Sequence, residues 1–163
     1  MDAIIERESA PELSGSDNEL PIRVCFVCTG NTCRSPMAAA VLNELGKGRY
    51  VAMSAGLAAN VGEPISANAV KALEKAGIRC TADNDYVSHK ARQIDALMIE
   101  GCDRVIAISG SHFISLIMCS DPKNAEKIER MPTDIPDPYM GSEAEYERCL
   151  NDITAGIKEL FKL

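Results

Sequence analysis

Ile22-Arg-Val-Cys-Phe-Val-Cys28-Thr-Gly-Asn-Thr-Cys-Arg34-Ser-Pro36 is the stretch that decides how this chain folds. Its first seven residues are β-branched or apolar with one exception, as in a strand buried on both faces of a parallel sheet. Ser35 and Pro36 then open a helical stretch from Met37 to Leu45, with Ser35 as N-cap, Pro36 at the first helical position and Gly46 and Gly48 beyond its end. The seven-residue interval from Cys28 to Arg34 therefore falls at a strand–helix junction.

That junction is an anion cradle in physical terms. Gly30 and Asn31 both tolerate left-handed backbone, so the loop can turn successive N–H groups inward. The helix behind it adds unpaired N–H groups and the positive end of its dipole. Arg34 supplies a planar fork able to hold two phosphate oxygens. A thiol at the strand end would sit in a positive field that favours its nucleophilic form. A structural strand-end thiol would need neither the arginine nor the serine that follows it. Cys25, by contrast, lies mid-strand and is expected to be core.

Outward from the junction, strands and helices alternate. Tyr50–Met53 reads as a second strand and Ser66–Ala76 as a helix, with Val70 and Leu73 on one face and Gly77 as its stop. A weaker helix is expected over Ile94–Glu100, a third strand over Arg104–Ile108, a helix over Ser111–Cys119 and a short fourth strand over Lys127–Met131. Tyr146, Leu150, Ile153, Ile157 and Leu160, at steps of four and three, mark a C-terminal amphipathic helix. The alternation predicts an α/β single domain: a four-stranded parallel sheet with helices on both faces.

Composition limits the function classes. At 163 residues, 46% apolar and 25% charged, the chain has the size and usage of one globular domain. With no Trp, four Tyr and three Phe, its core must be aliphatic. Residues 1–21 carry six of the 24 acids and one base, so most of the −7 net charge lies in this leader, which is expected to be mobile. The domain, 22–163, is nearly neutral. Binding to a nucleic acid duplex is disfavoured because it draws on an excess of Lys and Arg. The apolar stretch Val105–Cys119 is broken by Ser109, Gly110, Ser111 and His112, so no membrane span is expected. No basic and then apolar secretory signal opens the chain, which points to a cytoplasmic address.

The seven cysteines, at positions 25, 28, 33, 80, 102, 119 and 149, are odd in number and read as thiols. A zinc cluster around Cys25, Cys28 and Cys33 would need a second ligand pair, and His89 and His112 stand far apart and alone. No metal or other cofactor is expected. Cys33, five residues from Cys28 on a curled loop, is a candidate partner for a reversible disulfide. The alternative is a small side chain packed beneath the loop. His112 has no assigned role and is expected on a helix surface.

Several blocks together resemble the low-molecular-weight phosphatase family: Val24–Met37, Ser54-Ala-Gly56, Ser88-His-Lys-Ala-Arg-Gln93 and Asp137-Pro-Tyr139. The resemblance covers nearly everything after the leader. It implies a four-stranded parallel sheet, no metal, and a phosphocysteine formed by in-line attack of Cys28. The amides of Thr29, Gly30, Asn31, Thr32, Cys33, Arg34 and Ser35, with the Arg34 side chain, would hold the phosphoryl oxygens. Ser35 would hydrogen-bond the Cys28 sulfur, and Asn31, Ser54 and His89 would shape the loop. Asp137 would be the general acid, with Asp134 as a supporting neighbour. The implied partners are phosphorylated proteins as substrates, with inorganic phosphate released by a monomeric enzyme.

Within that resemblance, Thr32 and Tyr139 are the candidate specificity residues. Tyrosine-directed members usually carry an aliphatic residue at the position of Thr32 and aromatics at those of Asn60 and Met140. Protein arginine phosphatases carry a loop identical to Cys28–Met37 and lack the aromatic wall. The expected activity is therefore removal of phosphate from phosphoarginine, with a tyrosine phosphatase as the alternative. A thioredoxin-coupled arsenate reductase would want a cysteine near Ile108-Ser109-Gly110. A non-catalytic phosphate-binding module would have no need of Cys28, Arg34 and Asp137 together.

Overall fold

A computed structural model describes residues 19–163. The leader expected over 1–21 lies, except for its last three residues, outside them. Among the described residues the elements run β1 (Ile22–Cys28), α1 (Arg34–Leu45), β2 (Tyr50–Gly56), α2 (Ala67–Lys75), α3 (Ala96–Gly101), β3 (Arg104–Ala107), α4 (Gly110–Cys119), β4 (Ile128–Arg130) and α5 (Glu143–Phe161). A 3₁₀ turn over Pro122–Lys127, which no sequence signal had indicated, leads into β4.

The four strands form one parallel sheet in the order β2-β1-β3-β4. In β1 the side chains alternate between two cores because successive residues of a strand point to opposite faces. Val24, Phe26 and Cys28 join α1, α2 and α5 on one side, in a core closed by Phe161 packed edge-on against Tyr50. Cys25 and Val27 join Val105, Ala107, Leu116 and Ile128 on the other, under α3 and α4. A central strand with helices on both sides must be apolar throughout, and β1 is fully buried from Val24 to Val27.

Two boundaries differ from expectation in ways that matter for the site. The first helix begins at Arg34, with Cys33 as its N-cap, so Ser35 and Pro36 lie inside its first turn. Proline is tolerated there because first-turn N–H groups have no intrahelical partner. Ser35 is consequently free of capping duty. β2 runs on to Gly56 because Ser54, Ala55 and Gly56 pair with Phe26, Val27 and Cys28, extending the sheet to the edge of the loop.

β1 ends at Cys28, so the loop that follows opens at the carboxyl edge of the sheet, where crevices of open α/β folds form. Gly56, level with Cys28, abuts the same loop. A Cβ on Gly56 would lie 2.5 Å from the Thr29 carbonyl oxygen and 3.2 Å from the Asn31 Cβ. Only glycine lets β2 and the loop approach this closely.

Candidate active site

The carbonyl groups of residues 28–33 show how the loop is held. Leu57 N–H donates to the Cys28 carbonyl at 2.9 Å, Ala58 N–H to Thr29 at 3.0 Å, Ser66 N–H to Thr32 at 2.9 Å and Met37 N–H to Cys33 at 3.1 Å. His89 Nε2 lies 2.8 Å from the Asn31 carbonyl. A trans peptide points its C=O and its following N–H in opposite directions. With these five carbonyls engaged outside, the amides of Thr29, Gly30, Thr32, Cys33 and Arg34 face the other way. Among the described residues, no backbone N–H of 29–33 is spent on another protein group. The loop is a bowl of unspent donors.

Asn31 is the keystone of that bowl. Its φ of 60° is left-handed, a conformation Asn tolerates better than most residues. Arg92 N–H, which can only donate, reaches Asn31 Oδ1 at 3.0 Å. Asn31 Nδ2 then donates to Ser35 Oγ at 2.8 Å, and Ser35 Oγ lies 2.9 Å from Cys28 Sγ. Asn31 Nδ2 can only donate, so of these two partners only the Cys28 sulfur can accept the Ser35 proton. The carbonyl of Asn31 likewise requires His89 Nε2 to be a donor. Burial keeps the His89 imidazolium disfavoured, and the Arg92 charge adds to this, against the hydrogen bond to Asn31. Ser54 is buried in β2 and, with His89, lines a cavity other than the one the bowl opens into. It makes no direct hydrogen bond to Asn31 or His89.

Arg34 is buried, and its two nitrogens have separate tasks. Nη1 donates to the Ile135 carbonyl at 3.0 Å, and Nη2 lies 3.6 Å from Asp137 Oδ2. The loop 134–139 is thereby tied to the cradle. Tyr139 N–H holds the other Asp137 oxygen at 3.0 Å. Asp134 supports the loop from behind, accepting from Gly110 N–H at 2.9 Å and pairing with Arg130 at 2.8 Å.

Together these residues enclose a cavity of about 220 Å³ lined by Cys28–Arg34, Ala58, Asn60, Glu63, Asp137 and Tyr139. Asn60 forms part of its wall, whereas Met140 is 85% exposed outside it. Glu63, which no sequence motif singles out, adds a second carboxylate. Thr32 is buried, with Oγ1 3.6 Å from Cys33 Sγ. Cys33 is held by Tyr146 at 3.2 Å; Ser66 donates to the same phenol oxygen at 3.0 Å, leaving the phenol proton for sulfur. Burial pushes the Cys33 thiol up from its ordinary value and takes the Tyr146 phenol to about 12.

His112 corrects an expectation. It is buried rather than on a helix surface, with Nε2 2.9 Å from Thr29 Oγ1 and Nδ1 2.8 Å from Ser109 Oγ. α4 starts directly after β3, so its first turn faces the end of neighbouring β1. No local pattern reveals this, because Thr29 lies 83 residues away.

Comparison with known proteins agrees with this geometry. A family model described as low molecular weight phosphotyrosine protein phosphatase matches residues 23–163. A low molecular weight protein-tyrosine-phosphatase of Streptomyces coelicolor is 34% identical over 151 residues, covering 82% of this chain and 87% of that protein. The crystal structure of the low molecular weight protein tyrosine phosphatase from T. tengcongensis matches with a TM-score of 0.77 at 34% identity, over 86% of this chain and 98% of that one. The YwlE arginine phosphatase from Geobacillus stearothermophilus matches with a TM-score of 0.76 at 30% identity, over 87% and 92%. With the matched region spanning the whole sheet, the loop and every helix around them, this chain belongs to the low molecular weight protein phosphatase family.

Proposed function

We propose that the protein removes phosphate from phosphoarginine in proteins, through a phosphocysteine on Cys28. Cys28 Sγ attacks phosphorus in line; the S–P bond forms as the bond to the leaving nitrogen breaks. The amides of the bowl and Arg34 receive the equatorial oxygens, and Asp137 gives its proton to the nitrogen, freeing arginine. Asp137, now a carboxylate, takes a proton from water. The water oxygen attacks phosphorus, the S–P bond breaks, and the thiolate leaves with help from the Ser35 hydroxyl as inorganic phosphate departs. Catalysis on this scheme is positional and electrostatic.

The wall of the cavity carries the arginine reading. Beside Thr32 stand Ala58, Asn60 and two carboxylates, Glu63 and Asp137, with Tyr139 as the single aromatic among the described lining residues. A guanidinium matches a carboxylate such as Glu63 through paired hydrogen bonds, while Asp137 serves as the acid. A phenyl ring finds little to stack on, losing contacts worth about 0.5–1.5 kcal/mol for each good aromatic pair. The second reading, a tyrosine phosphatase, draws on Tyr139, which is 60% exposed at the cavity mouth and free to cover a substrate ring.

Turnover of phosphoarginine and phosphotyrosine peptides by wild type and Thr32→Ile separates the two. The arginine reading expects a wild-type preference for phosphoarginine that Thr32→Ile reduces or reverses. A wild-type preference for phosphotyrosine that Thr32→Ile leaves unchanged refutes it. Full activity in Cys28→Ser would remove the mechanism for either substrate.

A further inference from the structure

Thr29 is the residue of the bowl next to the nucleophile, and it is gripped from two directions. Its carbonyl accepts from Ala58 N–H at 3.0 Å, which orients the peptide joining it to Gly30. Its hydroxyl meets His112 Nε2 at 2.9 Å, and the far side of that ring meets Ser109 at 2.8 Å. Gly30 has open space where a Cβ would be and no side chain to restrain it. The Thr29–Gly30 peptide therefore depends on outside contacts to keep its N–H aimed inward.

We propose that His112 is a positioning residue for the phosphoryl cradle: by fixing the Thr29 hydroxyl it braces the loop against α4 and keeps the Gly30 amide directed at the phosphoryl oxygens. This rests on the phosphatase reading above, though not on the choice of arginine over tyrosine.

The surroundings suit such a brace. The charged groups that act on His112 are Arg34 of α1 and Asp134 and Asp137 of the acid loop. Burial is the largest influence and favours the neutral ring; Arg34 adds to it, and the two aspartates oppose it. A neutral imidazole offers one donor and one acceptor. Set between two hydroxyls, each able to give or take, it completes a Ser109–His112–Thr29 chain with both ring nitrogens satisfied. Neither nitrogen is left over for proton transfer to a substrate, so the ring acts on the cradle through Thr29.

A double-mutant cycle decides the matter. Hydrolysis of p-nitrophenyl phosphate and affinity for vanadate are measured for wild type, His112→Ala, Thr29→Val and the double variant. His112→Ala is expected to lower kcat/KM about tenfold, mostly in kcat, and to weaken vanadate to a similar degree, the scale of one well-placed hydrogen bond. In the Thr29→Val background the same substitution is expected to cost nothing further, because the hydroxyl it acts through is gone. His112→Gln, which keeps a side-chain amide within the same region, is expected to recover part of the loss and is taken through the same cycle if His112→Ala does not fold. Leu116→Ala, which empties buried volume one turn along α4 from His112 without removing a hydrogen bond, is expected to lower Tm while leaving kcat/KM unchanged.

Equal losses in both backgrounds, or none in either, overturn the proposal. So does a Leu116→Ala variant that loses kcat/KM in step with its Tm as His112→Ala does. Wild-type turnover and its abolition in Cys28→Ser are read in the same assay. A failure of the underlying mechanism is therefore distinct from a failure of the His112 brace.

Discussion

Arg34 Nη2 lies 3.6 Å from Asp137 Oδ2, joining the residue proposed to hold the phosphoryl group to the residue proposed to protonate what leaves. On the proposed mechanism, an entering dianion would bring oxygens that compete for the same guanidinium and would release Asp137 from Arg34. Asp137 is half exposed, and the pair is therefore a guide to geometry rather than a large source of stability.

Asp137→Asn is accordingly expected to lower kcat by ~10²–10⁴-fold on peptide substrates, the usual contribution of a placed general acid. The loss should shrink with p-nitrophenyl phosphate, whose leaving oxygen needs little help. Steady-state rates across leaving groups of rising pKa check this: a loss of the same size for all of them would remove Asp137 from the acid role.

Ser35→Ala removes the hydroxyl aimed at Cys28 Sγ from 2.9 Å. Its benefit falls on the step in which sulfur leaves phosphorus as a thiolate. The variant is expected to accumulate phosphoenzyme, seen as a burst in rapid-quench experiments and as a mass increase on the Cys28 peptide. Slowed phosphorylation with no burst would place the role of Ser35 in the first step instead.

Gly56→Ala pushes a methyl group against the Thr29 carbonyl, 2.5 Å from its oxygen. The strand is locked in register with β1, so the loop is the part that must give way. Activity is expected to fall by ten-fold or more, with a loss of stability of about 1–3 kcal/mol as for other overpacked sites. Thermal melts and vanadate titrations measure both. Wild-type vanadate affinity would mean that the loop tolerates the displacement.

His89 and His112 both have imidazolium forms disfavoured by burial, with folded values below the ordinary 6.5. Below about pH 6.5 the unfolded chain therefore binds protons that the folded one does not, and stability falls with pH. Their contribution is complete above about pH 6.5 and is lost as the pH drops from there toward the folded values. Tm is expected to decline between about pH 7 and pH 5.5, and less steeply in His112→Gln. A Tm flat over this range, or one that rises on acidification, contradicts the buried neutral histidines.

Peroxide provides a test of Cys33. Oxidation of Cys28 by peroxide yields a sulfenic acid and water; attack by the Cys33 sulfur then forms the disulfide and expels a second water. Burial raises the Cys33 thiol, so closure should be faster at higher pH, where more of it is thiolate. A Cys28–Cys33 link, reversed by dithiothreitol, is expected by mass spectrometry. In Cys33→Ser the sulfinic form of Cys28 should appear instead. Loss of activity in wild type without that link would leave Cys33 as packing beneath the loop.

The elements that were legible in sequence are those with strong local signals. The apolar run Val24–Cys28 of β1, partly β-branched and followed by Thr-Gly, reads as a strand covered on both faces. The spacing from Tyr146 to Leu160 can only be a helix with one buried side. Ser35 and Pro36 misplaced the start of α1 for an instructive reason: they look like a cap, but the serine hydroxyl is drawn to Cys28 and Asn31. Ser54-Ala-Gly56 has little strand propensity of its own, and it is extended because it pairs with the end of β1. His112 sits in a helical segment whose sequence does not say which face packs, and only the seating of α4 against the sheet turns it toward Thr29.

What the sequence settled alone was the place of the loop, between the end of a strand and the start of a helix. A loop that closes within seven residues between a strand and a helix draws on neighbouring φ and ψ angles, on Asn31, which takes the left-handed one, and on the dipole of the helix that follows; Gly30, expected to share that conformation, does not adopt it. Those forces act over one or two turns of chain, so contiguous residues encode the turn, while hydrogen bonds from Leu57, Ala58, Ser66, His89 and Arg92 hold its amides inward. Tertiary structure alone decided what surrounds the bowl: Asp137 against Arg34, His89 under Asn31, Tyr146 against Cys33, and Asn60 and Glu63 in the cavity wall. These partners come from segments far apart in sequence, and their meeting depends on strand order, register and helix seating, which no single stretch of the chain contains.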